Sequence, residues 1–115
     1  MKKFLSILML IGVSTSIVFA AQGGFKDSVS PKKASISEVL KMNNNSYVTV
    51  QGNIVKRISD DKYSFKDATG TITVEIDDDK WGGVNADTKD KLELVGEVEK
   101  KYNTTELDVD SVRKL

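Results

Sequence analysis

Two residue types are missing from this 115-residue chain, cysteine and histidine. Without cysteine there is no disulfide, no thiol nucleophile and no thiolate metal site, so a small secreted domain must be held by its core alone. Without histidine, the commonest general base and the commonest transition-metal ligand are also gone. Proline and tryptophan occur once each, and no glycine-rich phosphate loop is present. Charge of one sign is not in excess, with 17 basic and 17 acidic residues. No two carboxylates sit in an apolar setting that would drive their pKa values apart. These gaps leave an enzyme reading without residues to carry it, and no cofactor is expected.

What is present begins with the only long apolar run. Lys2 and Lys3 precede an almost unbroken apolar stretch over residues 4–13, and Val18 and Ala20 supply small residues at the −3 and −1 positions. That is the anatomy of a signal peptide over residues 1–20, cleaved after Ala20. The run contains Ser14, Thr15 and Ser16 and is too short to span a bilayer, so no membrane insertion is expected after cleavage. The absence of a following cysteine also argues against a lipid anchor. Losing Lys2 and Lys3 leaves 15 basic against 17 acidic residues, a net charge of −2. Such a domain has no electrostatic case for binding a phosphate backbone.

Residues 21–34 hold glycine, serine and the single proline, with no periodicity, and read as a flexible leader. Ser35 and Glu38 then fit a capping box, and Ile36, Val39 and Leu40 give a short helix an apolar side until Asn43, Asn44 and Asn45 stop it. A spacing of two follows. The first strand is residues 47–59, the second 62–66 with Tyr63 and Phe65 inward, and the third 71–76 with Ile72, Val74 and Ile76 inward. Asp60-Asp61 and the Asp67-to-Gly70 stretch mark turns, with Gly70 free to take a positive φ. Asp77, Asp78 and Asp79 suit a helical turn that Gly82 and Gly83 end, with Trp81 plugging the barrel bottom. A fourth strand (91–99) alternates through Leu92, Leu94 and Val98. A fifth (105–113) carries Leu107 and Val109 inward after a turn at Tyr102-Asn103. Gly52 and Gly96 mark bends in the first and fourth strands. The pattern is all-β: a five-stranded OB-fold Greek-key barrel over residues 35–115, with a short N-terminal helix and another between strands three and four.

The outer face of strands one to three is where such barrels usually bind. Alternation puts Thr49, Gln51, Asn53, Arg57, Lys62, Ser64, Lys66, Thr71, Thr73 and Glu75 there. The face is polar and has no aromatic platform for bases, which suits a small glycan or peptide better than a single strand of nucleic acid. Against this stands a plain solvated sheet. Asp77, Asp78 and Asp79 could hold a hard cation, but consecutive residues point in different directions, and a cap on a solvated turn accounts for them better. Asp108 and Asp110 share an outward face by ordinary alternation.

The stretch from Gly52 through the Asp67-Ala-Thr-Gly70 turn to Ile76, continuing to Asp77, Trp81 and Gly83, resembles the bacterial OB-fold family of the YgiW/YdeI type. Gly96-Glu-Val98 and Glu106-Leu-Asp-Val109 fit the same pattern. The resemblance implies a periplasmic, non-catalytic stress-tolerance protein (oxidative, metal, acid or antimicrobial-peptide stress) that does not bind nucleic acid. It offers no catalytic residues to carry over. The expected partner is a small ligand or an envelope component, and the expected state a monomer. Two further classes stand beside this one: a cation-binding protein using the three aspartates, and a structural partner in an envelope complex.

Overall fold

A computed structural model describes residues 30–115. The expected signal peptide and most of the leader lie outside the described residues. β1 (Lys32–Lys33) runs parallel to the start of β2 (Tyr47–Arg57), with Lys32 opposite Val48 and Lys33 opposite Thr49. The sequence places these lysines in a flexible leader. Two residues are too few for alternation to show, and the strand forms on the edge that β2 offers it. The Ala34 N–H continues the pairing by donating to the Thr49 carbonyl at 3.0 Å.

The capping box forms as expected at the start of α1 (Ile36–Val39). The Glu38 N–H donates to Ser35 Oγ, and the Ser35 N–H donates to Glu38 Oε1 at 2.9 Å. One turn is not stable alone, so the helix is tied to the barrel by its own free donors. The Ile36 N–H donates to Asp67 Oδ2 at 2.9 Å and the Ser37 N–H to Thr69 Oγ1 at 3.0 Å. Asp67 Oδ1 meanwhile accepts the N–H groups of Thr69 and Gly70, closing the turn between β3 (Lys62–Asp67) and β4 (Gly70–Glu75). Gly70 needs no positive φ there, contrary to the sequence reading; the positive-φ glycines are Gly82 and Gly83. Burial acts to raise the Asp67 pKa, but the hydrogen bonds from the Thr69 hydroxyl and the three backbone N–H groups outweigh it and hold the carboxyl below its ordinary range.

β5 (Leu92–Lys101) and β6 (Thr104–Lys114) complete the sheet. Its order is β1-β2-β3-β4-β6-β5, and pairing of β5 back onto β2 closes the barrel. The first half of β2, from Tyr47 to Gly52, pairs with β5, and the second half, from Asn53 to Arg57, pairs with β3. Gly52 sits at this handover. A Cβ there would run into the Lys66 carbonyl oxygen, so only glycine lets β3 come so close. Val48, Val50, Phe65, Val74, Ile76, Leu92, Leu94, Val98 and Leu107 are all but inaccessible to water and fill the barrel together with Ile36 and Val39. Each such side chain stabilises the fold by roughly 1.5–3 kcal/mol relative to exposure.

The irregularity in β2 lies three residues beyond Gly52. Ile54 is opposite Phe65 and Lys56 is opposite Ser64, so Val55 is an extra residue without a partner. Past that bulge the alternation of β2 changes phase.

Candidate functional site

The bulge divides the residues that alternation had put on one face. Ser64 stands opposite Thr73 and Lys66 opposite Thr71, so this quartet does share the outer face of β3 and β4. Lys62, opposite Glu75, reaches across to β6 and ion-pairs with Glu106, its Nζ 3.1 Å from Oε1. The hydrogen bond to Glu106, followed by its charge, pushes the Lys62 pKa up. Gln51 and Asn53 are on the neighbouring strand but are used structurally. Gln51 Nε2 donates to Glu93 Oε2 at 3.2 Å, and Asn53 Nδ2 donates to the carbonyls of Thr88 and Asp90, the latter at 2.9 Å. With Lys66, Asp67 and Lys91 they line a shallow cleft of about 300 Å³. Thr49, expected outside, is buried where β1 covers it.

Arg57 leaves this face altogether. Lys56 takes the place opposite Ser64, and Arg57 pairs with Tyr63, whose ring points inward. The Arg57 guanidinium carbon lies 5.3 Å from the Tyr63 ring centroid, and Nη2 is 3.3 Å from the Tyr63 hydroxyl. A cation over the face of an aromatic ring is attracted by the ring quadrupole, so Arg57 is held in place without a carboxylate. Indeed, among the described residues none of the ion pairs involves Arg57 or Lys56.

Trp81 also packs on Tyr63, in a T-shaped pair at 88° with ring centroids 5.7 Å apart. The sequence makes Trp81 a buried plug. Instead it is half-buried, one side against the core cluster and the other open to a groove. It follows a 3₁₀ turn (Asp78–Lys80), and Gly82 and Gly83, with φ of 56° and 81°, swing the chain away after it. The groove they open has a volume of about 800 Å³. One wall is β2 from Ile54 to Arg57; the other is the loop of residues 83–88, which brings Val84 and Ala86 to face it. Asn53 pins the far end of that loop through Thr88. The loop also contributes Asp87, and the 3₁₀ turn contributes Asp78. Sequence reasoning missed this site because a single unpaired residue, Val55, decides it.

The three aspartates separate as well. Asp77 precedes the 3₁₀ turn, but its side chain makes no capping hydrogen bond, so the cap expected from sequence is absent. Instead it joins Asp61 and Glu75, one carboxylate oxygen of each lying within 4.8 Å of the others. Asp79 is outside that group. Glu75 is also within such reach of Glu99 and Glu106. Burial first, then the charges of Asp108, Asp61 and Asp77, raise the Glu75 pKa against the pull of Lys62. Burial and the charges of Glu99, Asp110, Asp77 and Glu97 do the same to Asp108. The hairpin register that sets Lys62 opposite Glu75 is the signal that brings Asp61 alongside Ile76 and Asp77.

A closed five-strand barrel with a helix turn at one end and a groove beside its first long strand defines an OB-fold protein. A family model described as bacterial OB fold (BOF) protein matches residues 12–114, and the chain belongs to that family. It is 40% identical over 128 residues to protein YgiW of Escherichia coli K12, covering 100% of this chain and 98% of that one. It is 34% identical over 110 residues to the calcium-regulated OB-fold protein CarO of Pseudomonas aeruginosa, covering 96% and 94%. The solved structure of the hypothetical protein ygiW from E. coli superimposes with a TM-score of 0.70 at 46% identity, over 82% of this chain and all of that one. The telomere capping protein Ten1 from Saccharomyces pombe superimposes at 0.62 but with only 15% identity, over 74% and 81%, a likeness of fold alone.

Proposed function

We propose that this protein is a non-catalytic ligand-binding module of envelope stress tolerance, working in the periplasm after cleavage at Ala20, with its ligand in the groove beside β2. One observation carries this reading: Arg57 held over Tyr63 beside Trp81, with no carboxylate partner among the described residues, on the wall of the groove. Its volume of about 800 Å³ falls within the roughly 300–1,000 Å³ usual for small-ligand sites, and its lining mixes Ile54, Trp81, Val84 and Ala86 with the charged Lys56, Arg57, Asp78 and Asp87. The ligand is a small glycan, a peptide or a similar molecule rather than nucleic acid, and the polar row of Ser64, Lys66, Thr71 and Thr73 lies on the sheet face that Arg57 leaves. The periplasmic and stress-tolerance parts rest on the signal-like N-terminus and on the family.

The test is native mass spectrometry of protein secreted from the full-length precursor. A retained small molecule, lost in Arg57→Gln and accompanied by a change in Trp81 emission, supports the reading. Protein that carries nothing, and whose emission ignores a small-molecule extract of the envelope, defeats it. The same spectrum reports whether the chain begins at Ala21.

A second reading has an observation of its own. Asp61, Glu75 and Asp77 gather three carboxylates in the manner a hard cation wants, replacing the Asp77, Asp78 and Asp79 set of the sequence reading. The relative CarO is named for calcium regulation. Calorimetric heat with calcium that Glu75→Gln abolishes would favour it; no heat would end it.

A further inference from the structure

The groove has a property that a plain pocket lacks, because one of its walls is the bare edge of a strand. Residues 53–57 of β2 pair with β3 on one side only, since β5 stops at the Leu92–Gly52 pair. On the other side the loop of residues 83–88 stands off across the groove, and the Asn53 side chain bridges to it only at its end. An open strand edge carries a row of backbone donors and acceptors that an extended chain can complete.

We propose that the groove receives an extended peptide, which adds as a short strand along β2 and sets a single carboxylate against Arg57. This deepens the groove reading above and rests on it. Among the described residues Arg57 has no ion-pair partner, and it is already oriented by Tyr63. A guanidinium fixed before binding loses little freedom when it takes a carboxylate in its two-pronged grip. Asp78 and Asp87 line the same groove, which tells against a polyanion but leaves room for one carboxylate at the basic end. Neighbouring apolar side chains of the peptide meet Ile54, Trp81, Val84 and Ala86.

Bulges and lysines also protect edges from unwanted pairing. A protected edge, however, does not usually show apolar side chains to water. Here Val55 and Ile58 are 42% and 51% exposed. The bulge limits pairing to a few residues, which favours a short segment over another sheet.

The probe is the pentapeptide Ac-Thr-Val-Asp-Val-Thr-NH2, compared with the same peptide carrying Asn in place of Asp. Both are titrated into ¹⁵N-labelled full-length mature protein and followed by amide and Trp81 indole resonances. The Asp peptide should saturate shifts at Val55, Lys56, Arg57 and the Trp81 indole, and slow amide exchange along that edge. The Asn peptide should bind about tenfold more weakly, a difference of about 1.4 kcal/mol. Arg57→Gln, an exposed site whose change leaves the fold intact, should bring the Asp peptide down to the Asn level. Equal binding of the two peptides, or shifts on another face, overturns the proposal. If neither peptide binds while a small molecule is retained from the envelope, this inference fails and the groove reading survives. If neither occurs, both fall.

Discussion

Arg57 and Trp81 show how much one residue of register decides. Both types are visible in the sequence, and both were placed correctly in strand and turn, yet each has a different neighbourhood from the one alternation assigns. The extra Val55 turns Arg57 from the sheet face to the Tyr63 ring, and a bulge of this kind leaves no mark in the pattern of apolar residues. Trp81→Ala should therefore cost about 2–3 kcal/mol, less than the ~3–5 kcal/mol of a fully buried large aromatic, because part of the ring already meets water. A urea midpoint measures this, and a loss at the upper value would mean the groove is closed in solution. Arg57→Gln should stay within about 0.5 kcal/mol of the parent in the same assay, as exposed substitutions do. Gly52→Ala is the opposite case. Its Cβ meets the Lys66 carbonyl, a backbone atom that cannot step aside without breaking the β2–β3 pairing. A loss of about 2–3 kcal/mol is expected, the upper range for overpacking; an unchanged midpoint would show that β3 can move.

At the scale of elements the sequence was largely readable. Five strands, the capping-box helix and the turn after the third strand all stand where periodicity and turn chemistry place them, because each is specified by neighbours in the chain. β1 was not readable, since its partner and not its own residues makes it a strand. The acidic group was not readable either, because Asp61, Glu75 and Asp77 meet only through the hairpin register. The two kinds of carboxyl here give opposite pH behaviour. Asp67 is held below its ordinary pKa, so the stability it contributes is present above the unfolded value of about 3.9 and is lost as pH falls through the folded one. Glu75 is raised, so its ionised form costs stability at neutral pH, and that cost disappears as pH falls through the raised pKa. Glu75→Gln should thus gain about 0.5 kcal/mol at pH 7, a gain that fades toward the unfolded value of ~4.3. Thermal melts across pH 3.5–7.5 would show it; a gain that is flat with pH would contradict the charge argument.

At the scale of the whole molecule, the net charge is 0, or −2 if the chain is cleaved after Ala20 as proposed, and Tyr63 and Phe65 are buried inside the barrel, so the outer face of β3 carries neither of their rings and the chain has no basic excess. Fluorescence anisotropy with labelled oligo-dT at ~150 mM salt should show no binding, since counterion release and base stacking supply most such affinity. Micromolar binding would mean that the Arg57 groove takes nucleic acid after all. The fold class was fully legible because barrel closure repeats the same inward alternation five times over. The groove was not, because its two walls come from a bulge and a loop, neither of which is periodic.

The loop of residues 83–88 is delimited by hardware that belongs to the barrel. Two positive-φ glycines launch it, and one asparagine side chain from β2 catches its far end. Between those fixed points its residues are exposed or half-buried, and none is among the fully buried core residues. The segment therefore behaves as an exchangeable cassette. Ala86 packs against the core and must stay small, but the exposed positions around it can drift, and the barrel will present whatever they become to the same strand edge.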